Sequence, residues 1–130
     1  MRHTPQTWLE AYAGAWRAFD VEAAADLFAE DVAYSFDPFD EPRRGRDAVL
    51  AYWRSAFAGQ RAVDLSVRLW AVDGPRAGAE WWAVITPHEG ETFTLSASLL
   101  LCFDGHGRCR ELHEHWLRSD GAVAAPARFT

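Results

Sequence analysis

The sequence predicts an α+β domain in which helices come first and an antiparallel meander of strands follows. In the first half, apolar residues recur every three or four positions, which is the helical period. In the second half, apolar and polar residues alternate, which is the strand period. Short turns that contain glycine separate the alternating runs, as expected for consecutive antiparallel strands. We therefore expect a single domain over residues 1–130.

An amphipathic first helix is predicted over the stretch TPQTWLEAYAGAWRAF. Thr4 suits the N-cap position, and Pro5 suits the first helical position because its fixed φ is already helical. Trp8, Tyr12 and Trp16 recur at four-residue spacing. They therefore form an aromatic stripe along one face of this helix.

Two further helices and one strand complete the first half. Asp20 is a suitable N-cap for a short second helix, VEAAADLFAE, and DVAYSF has the pattern of a strand. The stretch DPFDEPRRG is rich in proline and acid, which is typical of a loop. A third helix, RDAVLAYWRSAFAG, is predicted to end at Gly59.

Four strands are predicted in the second half: AVDLSVRLWAV, AGAEWWAVIT, TFTLSASLLLCF and RCRELHEHWL. The turns DGPR, PHEG and DGHG connect them. Residues 119–130 have no periodic pattern, and we expect a loose C-terminal tail there.

The composition excludes several classes of function. The net charge is −6 and no basic stripe occurs, so nucleic acid and anionic membranes are poor partners. All 13 basic residues are arginine, which excludes lysine Schiff bases and lysine-anchored pyridoxal cofactors. We expect no cofactor.

The N-terminal stretch lacks the apolar segment of a signal peptide, and no apolar run is long enough to cross a bilayer, so we expect a cytoplasmic location.

Three stretches resemble the nuclear transport factor 2-like superfamily, which includes ketosteroid isomerase, limonene epoxide hydrolase and the SnoaL-like polyketide cyclases. They are AYAGAWRAFDVEAAADLFAEDVAY, EPRRGRDAVLAYW and LLLCFDGHGRCRELHEHW. The resemblance extends from Trp8 to Leu117. It implies a cystatin-like cone in which three N-terminal helices pack into a curved antiparallel sheet. It further implies a ligand pocket inside the cone and a dimer interface on the outer sheet face.

The resemblance also implies roles for individual residues. Tyr12 stands where the isomerases have the tyrosine that donates a hydrogen bond to an enolate oxygen. Asp37 matches the catalytic Asp-Pro of the isomerases if one residue is inserted, and without that insertion Phe36 takes its place. Glu114 stands where the epoxide hydrolases have a strand acid. Leu99 stands where the isomerases have their second oxyanion donor, which is a departure from their pattern.

Strand alternation indicates which side chains face the pocket. If PHEG and DGHG are four-residue hairpin loops, Glu80, Ala97 and Glu114 form one row across three strands on the inner face. Two carboxylates in an apolar pocket repel each other and are desolvated, which raises the pKa of at least one. Such a pair is suited to general acid/base catalysis at neutral pH, and it also suits an amine ligand.

Two alternatives stay open for the acids. A one-residue slip in strand pairing would place one glutamate outside, where it would pair with arginine or water. Asp37 is either a base at the pocket edge or a solvated loop acid.

We expect apolar pocket walls from these predicted ligand-binding residues: Trp16, Phe36, Trp53, Trp82, Ala97, Leu99, Leu112 and Trp116.

The same alternation assigns an outer face to the sheet. The residues expected there are Cys102, Cys109, Arg68, Trp70, Trp81, His113 and His115. The His-x-His spacing is compatible with zinc, but serines stand opposite both histidines, so we expect no metal site. Two large tryptophans on an outer face indicate a buried partner surface, and we expect a homodimer through it.

These observations favour a cofactor-independent isomerase, cyclase or hydrolase that acts on a small, largely apolar molecule. Glu80 and Glu114 would be the acid/base pair, and Tyr12 would be the hydrogen-bond donor. The alternative is a ligand-binding or dimerisation module without catalysis.

Overall fold

The computed structural model describes residues 2–130, and it has the α+β architecture that the sequence predicts. The helices are α1 Pro5–Arg17, α2 Val21–Ala25, α3 Arg46–Ala58 and a terminal 3₁₀ turn Ala127–Phe129. The strands are β1 Phe28–Ser35, β2 Arg43–Arg44, β3 Gln60–Asp73, β4 Arg76–Pro87, β5 Phe93–Phe103 and β6 Cys109–Asp120. They form one curved sheet in the order β2-β1-β6-β5-β4-β3. All neighbouring strands are antiparallel except β1 and β6, which are parallel.

Local sequence determines where the helices begin. Thr4 accepts a hydrogen bond from the N–H of Thr7, and the Thr7 side chain accepts one from the Thr4 N–H, which closes a capping box in front of Pro5. The Asp20 carboxylate caps α2 by accepting from Ala23. Both predicted caps are confirmed. The second helix is shorter than predicted because β1 already begins at Phe28.

The core lies between the helices and the concave face of the sheet. Trp8 is completely buried, and its indole N–H donates to the carbonyl of Leu27 at 2.7 Å. Its ring stacks on Tyr12 and meets Phe28 and Phe103 edge-on. Aromatic pairs of this kind stabilise a core beyond their burial. The aromatic stripe of α1 is therefore the face that packs into the sheet.

The register between β4 and β5 differs from the prediction by one residue. Glu80 lies opposite Ser98, and Trp81 lies opposite Ala97. The predicted four-residue hairpin is wrong because β4 continues to Pro87 and β5 begins only at Phe93. Since side chains alternate along a strand, this slip exchanges the two faces of β4.

From Glu111 onward, the register between β5 and β6 differs from the prediction by two residues, which leaves the faces of that part of β6 unchanged. Phe103 lies opposite Cys109, a shift of one residue at the turn. A bulge at Arg110 then adds a second shift, so that Glu114 lies opposite Leu99. Glu114 therefore keeps its predicted inner position. Cys109, which was predicted to face outward, is completely buried inside.

The C-terminal tail is ordered against the outer face, contrary to the prediction. Residues 119 and 120 belong to β6, and the segment after Gly121 contacts β5 and β4. Trp82 donates its indole N–H to the carbonyl of Val123 at 2.8 Å, and the Val123 N–H bonds to Thr94 at 3.0 Å. Arg128 closes the contact by an ion pair to Glu80. Sequence periodicity gave no sign of this docking because the tail forms no regular strand.

Within the described residues, no helix has the length and apolar character needed to cross a membrane.

Gly107 is predicted to be irreplaceable in the β5–β6 turn, whereas Gly105 is not. Gly107 has a φ of 75°, and a Cβ there would lie 2.5 Å from the backbone oxygen of His3. Gly105→Ala meets no atom within 4 Å. We expect Gly107→Ala to lower the free energy of unfolding by about 2 kcal/mol or more and Gly105→Ala to change it by less than about 0.5 kcal/mol. Urea unfolding of both variants measures the difference, and similar stabilities would contradict this account.

Candidate functional site

A cavity of about 320 Å³ lies between α1, α3 and the concave face of the sheet. We call it the Glu114 cavity. Its wall is formed by Tyr12, Trp16, Tyr34, Tyr52, Trp53, Ala56, Phe57, Gly59, Gln60, Trp81, Ile85, Pro87, Phe93, Leu95, Glu114 and Trp116. Most of these side chains are aromatic, and Glu114 is the one carboxylate among them. The cavity thus combines an apolar wall with a single acid, as small-molecule sites commonly do.

Glu114 is held at the inner end of this cavity by neutral hydrogen-bond donors. It is 4% exposed, and its Oε1 accepts from the hydroxyl of Tyr34 and from the indole N–H of Trp81, both at 3.3 Å. Burial raises the pKa of Glu114 to about 7, and hydrogen bonds from Trp81, Tyr34 and Tyr12 oppose that rise only in part. Both protonation states are therefore populated near neutral pH.

The tyrosines around Glu114 stay protonated at neutral pH. Burial, reinforced by the negative charge of Glu114, raises the pKa values of Tyr12 and Tyr34 well above the ordinary value of tyrosine. The pKa of Tyr52 rises to about 12, mainly through burial, while Arg43 opposes the rise. All three hydroxyls consequently act as neutral hydrogen-bond donors.

The wall side chains are fixed by contacts with one another. Trp16 meets Trp81 edge-on at a centroid distance of 4.9 Å, and Tyr12 meets Trp53 in the same way at 5.1 Å. The indole N–H of Trp16 donates to the side-chain oxygen of Gln60 at 2.9 Å. Because that oxygen already accepts a hydrogen bond, the amide NH₂ of Gln60 is the group that can donate one to a ligand.

Five predicted site residues line the cavity: Tyr12, Trp16, Trp53, Glu114 and Trp116. Trp116 is 43% exposed, which places it toward the solvent side. Ala97, Leu99 and Leu112 lie in the buried core and are absent from the cavity wall. They lie on the face of the sheet that was predicted for them.

The prediction that Glu80 faces the pocket is wrong, because Glu80 lies on the outer face and has no access to the cavity. It is 7% exposed, and Arg128 donates to both of its oxygens, at 2.8 and 3.1 Å. Arg68 approaches within 3.7 Å. Hydrogen bonding to Arg128 is the main cause that lowers the pKa of Glu80. The predicted acid pair therefore does not form, since the one-residue slip separates its members.

Trp81 and Trp82 exchange their predicted places for the same reason. Trp81 was expected on the dimer face, yet it is 2% exposed and contacts Glu114. Trp82 was expected in the pocket wall, yet it lies under the C-terminal tail and packs against Phe129.

Phe36 and Asp37 lie beside the cavity and do not line it. Phe36 stacks on Tyr52 at 4.8 Å, and Arg43 lies over both rings. The Asp37 carboxylate accepts from the N–H of Phe39, so it stabilises its own loop. Phe36 and Asp37 line a second cavity of about 440 Å³, which also contains Arg43 and meets the Glu114 cavity at Tyr34. The loop reading of Asp37 is thus the one that the geometry supports.

Three polar side chains of the cavity wall were not singled out from the sequence: Tyr34, Tyr52 and Gln60. Tyr34 carried a usable signal, because alternation in DVAYSF puts it on the same face as Val32, which is completely buried. The sequence gives no comparable signal for Tyr52 and Gln60, since one residue more or less in the third helix would turn the Tyr52 side chain away from the cavity.

The outer face contains the remaining predicted partner residues. Arg68, Glu80, Ser98 and His115 form one row across the strands, and Arg68 lies over the exposed ring of Trp70. His113 pairs with Glu111 at 2.7 Å. Within residues 2–130, no three His, Cys, Asp or Glu side chains are grouped so as to hold a metal ion. Homodimerisation through this face stays a prediction.

Comparison with known proteins defines the family. Residues 9–112 match the SnoaL-like domain. The chain belongs to the SnoaL-like domain family. The resemblance to the nuclear transport factor 2-like superfamily is thereby confirmed, and so is the cystatin-like α+β cone.

Solved structures share the fold of this SnoaL-like domain at low sequence identity. A proposed polyketide cyclase from Xanthomonas campestris pv. campestris is 22% identical with a TM-score of 0.75, over 86% of this chain and 89% of that one. A protein of ketosteroid isomerase-like fold from Catenulispora acidiphila, in complex with trimethylamine, is 19% identical with a TM-score of 0.72, over 86% and 85%. The epoxide hydrolase/cyclase-like enzyme SalBIII, involved in pyran ring formation in polyether salinomycin, is 20% identical with a TM-score of 0.68, over 86% and 92%.

Proposed function

We propose that this SnoaL-like domain is a cofactor-independent enzyme that transfers a proton to or from a small, largely apolar substrate, with Glu114 as the acid/base. The observation that carries the proposal is a single buried carboxylate, with its pKa raised to about 7, at the inner end of an aromatic cavity. General acid/base groups are most effective when their pKa lies near the working pH. Isomerisation, cyclisation and hydrolysis all need such a group.

One carboxyl suffices for a reaction in which a proton leaves one atom of the substrate and returns to another. Ionised Glu114 takes the proton, and the resulting carboxylic acid gives it back at the second position. The hydroxyl of Tyr12 remains protonated, so it can donate to an oxygen on which negative charge develops, while Tyr34 donates to Glu114. The aromatic wall excludes water from the transfer.

The family supports this class of chemistry without naming the substrate. Two of the structurally similar proteins are described as a proposed polyketide cyclase and as an epoxide hydrolase/cyclase-like enzyme. Ring closure and epoxide opening both depend on a positioned acid or base. The fold alone does not decide among these reactions, because function depends on the residues of the site.

Ligand binding without chemistry is the second candidate, and a specific observation favours it. Glu114 has no second carboxylate beside it in the described part of the cavity wall, so no acid/base pair is present. The Catenulispora acidiphila protein of similar fold is in complex with trimethylamine.

Hydrogen exchange at carbon tests the catalytic proposal without knowledge of the natural substrate. Small cyclic ketones and enones are incubated with the protein in D₂O, and mass spectrometry measures deuterium uptake at carbon. We expect Glu114→Gln to reduce the exchange rate by roughly 10²- to 10⁴-fold, the usual contribution of a general base. Glu111→Gln is the matched control, since Glu111 lies on the same strand but is exposed on the outer face. An unchanged rate in Glu114→Gln refutes the proposal, and no exchange by the native protein favours the second candidate.

A further inference from the structure

In the part of the chain that the structure describes, the Glu114 carboxylate has no positively charged partner. Within residues 2–130, no arginine or histidine lies at ion-pair distance from it, although Glu80 has two arginines. Its Oε1 accepts from the hydroxyl of Tyr34 and from the indole N–H of Trp81, and both donors are neutral. A buried carboxylate that lacks a cation is costly when it is ionised. A bound cation would remove that cost, so the charge pattern of the cavity is complementary to a positive ligand.

Aromatic rings form most of the wall of the cavity that contains Glu114. Tyr12, Tyr34, Tyr52, Trp16, Trp53, Trp81 and Trp116 all contribute to the wall. The faces of aromatic rings attract cations, and tryptophan does so most strongly. Two rings of the wall already contact cations of the chain, because Arg43 lies 4.7 Å above Tyr52 and Arg118 lies 4.1 Å above Phe93.

The same wall selects among cations. A primary ammonium has three N–H donors, and each needs an acceptor once water is excluded. The wall offers few side-chain acceptors beside Glu114, since the others are three tyrosine hydroxyls and the Gln60 side chain, and the indole N–H groups can only donate. A nitrogen whose hydrogens are replaced by methyl groups needs at most one acceptor, and its methyl groups contact the rings. A compact alkylated ammonium therefore fits better than a primary amine.

We propose that the Glu114 cavity binds a compact tertiary or quaternary alkylammonium ion, which pairs with the Glu114 carboxylate inside the aromatic wall. This inference rests on the proposed use of the cavity as a ligand site, but it does not require catalysis. If the cavity is catalytic for a neutral substrate, the alkylammonium ion competes with that substrate. The net charge of −6 also favours the approach of a cation.

Because binding of the cation is linked to protonation of Glu114, the proposal predicts a specific pH dependence of the affinity. A permanent cation pairs with ionised Glu114, so the proton and the cation compete for the same carboxylate. The titratable groups that face Glu114 from the neighbouring elements are Tyr12 on α1, Tyr34 on β1 and Tyr52 on α3, and all three stay neutral. Affinity should therefore be level above pH 7 and should fall by up to roughly tenfold per pH unit below it.

Choline and 3,3-dimethylbutan-1-ol are matched probes, because they have the same shape and differ in charge. Binding to the full chain is measured by calorimetry at pH about 8.5 and about 5.5, on either side of the raised pKa of Glu114. We expect choline to bind at least about tenfold more tightly than the alcohol at the higher pH. We expect its affinity to fall at least about tenfold at the lower pH, while that of the alcohol stays constant.

Two variants locate the binding. Glu114→Gln should weaken choline at least about tenfold at the higher pH and abolish the pH dependence, because the negative charge is gone. Trp82→Phe, on the outer face, should leave choline binding unchanged. Equal affinity for choline and the alcohol in the native protein overturns the inference, as does unaltered choline binding in Glu114→Gln. The native-protein comparison holds even if a variant fails to fold. Deuterium exchange is a separate readout, so choline binding without exchange refutes only the catalytic proposal.

Discussion

Glu114→Gln should stabilise the protein by roughly 3 kcal/mol above pH 7, which is an unusual result for a change at a buried site. Burial raises the pKa of Glu114 from the model value of 4.5 to about 7 in the folded protein. Between these pH values the folded state binds the proton and the unfolded state loses it. Stability is therefore fully present below pH 4.5 and declines as the pH rises to about 7. Glutamine has no charge to bury, so the variant should not show this decline.

Urea unfolding of the native protein and the variant, from pH about 4.5 to about 8.5, measures the effect as a difference curve. The two proteins should be nearly equal at the acidic end, where Glu114 is protonated in both states. Glu111→Gln is again the control, because the exposed Glu111 should give a flat difference curve. A flat curve for Glu114→Gln as well would contradict the raised pKa and would weaken the case for proton transfer.

Trp81→Ala should cost about 3–5 kcal/mol of stability, whereas Trp82→Ala, one residue away, should cost only about 1 kcal/mol. Trp81 is 2% exposed, contacts Trp16 edge-on and donates to Glu114. Its removal leaves a void in the wall that neighbours fill only in part. Trp82 is half-buried on the outer face, where it contacts Phe129 and bonds to Val123.

Urea unfolding of the two alanine variants compares the costs directly, and limited proteolysis reports on the C-terminal tail. Only Trp82→Ala should make the tail after Gly121 more susceptible to cleavage, because its indole N–H holds the tail to the sheet. Equal costs, or a larger cost at Trp82, would show that β4 has the register that the sequence predicted. The pair of variants therefore tests which face of β4 carries the site.

The candidate site could be predicted from the sequence wherever helical spacing decides it. Tyr12, Trp16 and Trp53 are placed by their helices, and the helices are placed by strong local signals such as the Thr4–Pro5 cap. Glu114 was assigned correctly as well, although its predicted neighbours were wrong. The slip at the turn and the bulge at Arg110 add up to two residues, and two residues restore the original face.

Glu80, Trp81 and Trp82 were assigned incorrectly because loop length decides their faces. The connection between β4 and β5 is longer than the four-residue hairpin that its sequence suggests. Its backbone is bonded to distant parts of the chain: His88 donates to the carbonyl of Gly59, and Gly121 donates to the carbonyl of Thr92. No local turn signal encodes these contacts. The same holds for the ion pair between Arg128 and Glu80, which joins residues 48 positions apart.

The sequence by itself determined the helix caps, the aromatic face of α1 and the alternation of each strand, because all of these depend on neighbours in the chain. The tertiary structure decided how the strands are shifted against one another, and thereby which glutamate and which tryptophan reach the cavity. The physical reason is the two-residue period of a strand. A shift of one residue leaves the alternation of apolar and polar residues within the strand unchanged, yet it moves every side chain to the opposite face. Because of that shift, Glu114 is the single acid among the described residues of the cavity wall, and Glu80 forms ion pairs with arginines on the outer face.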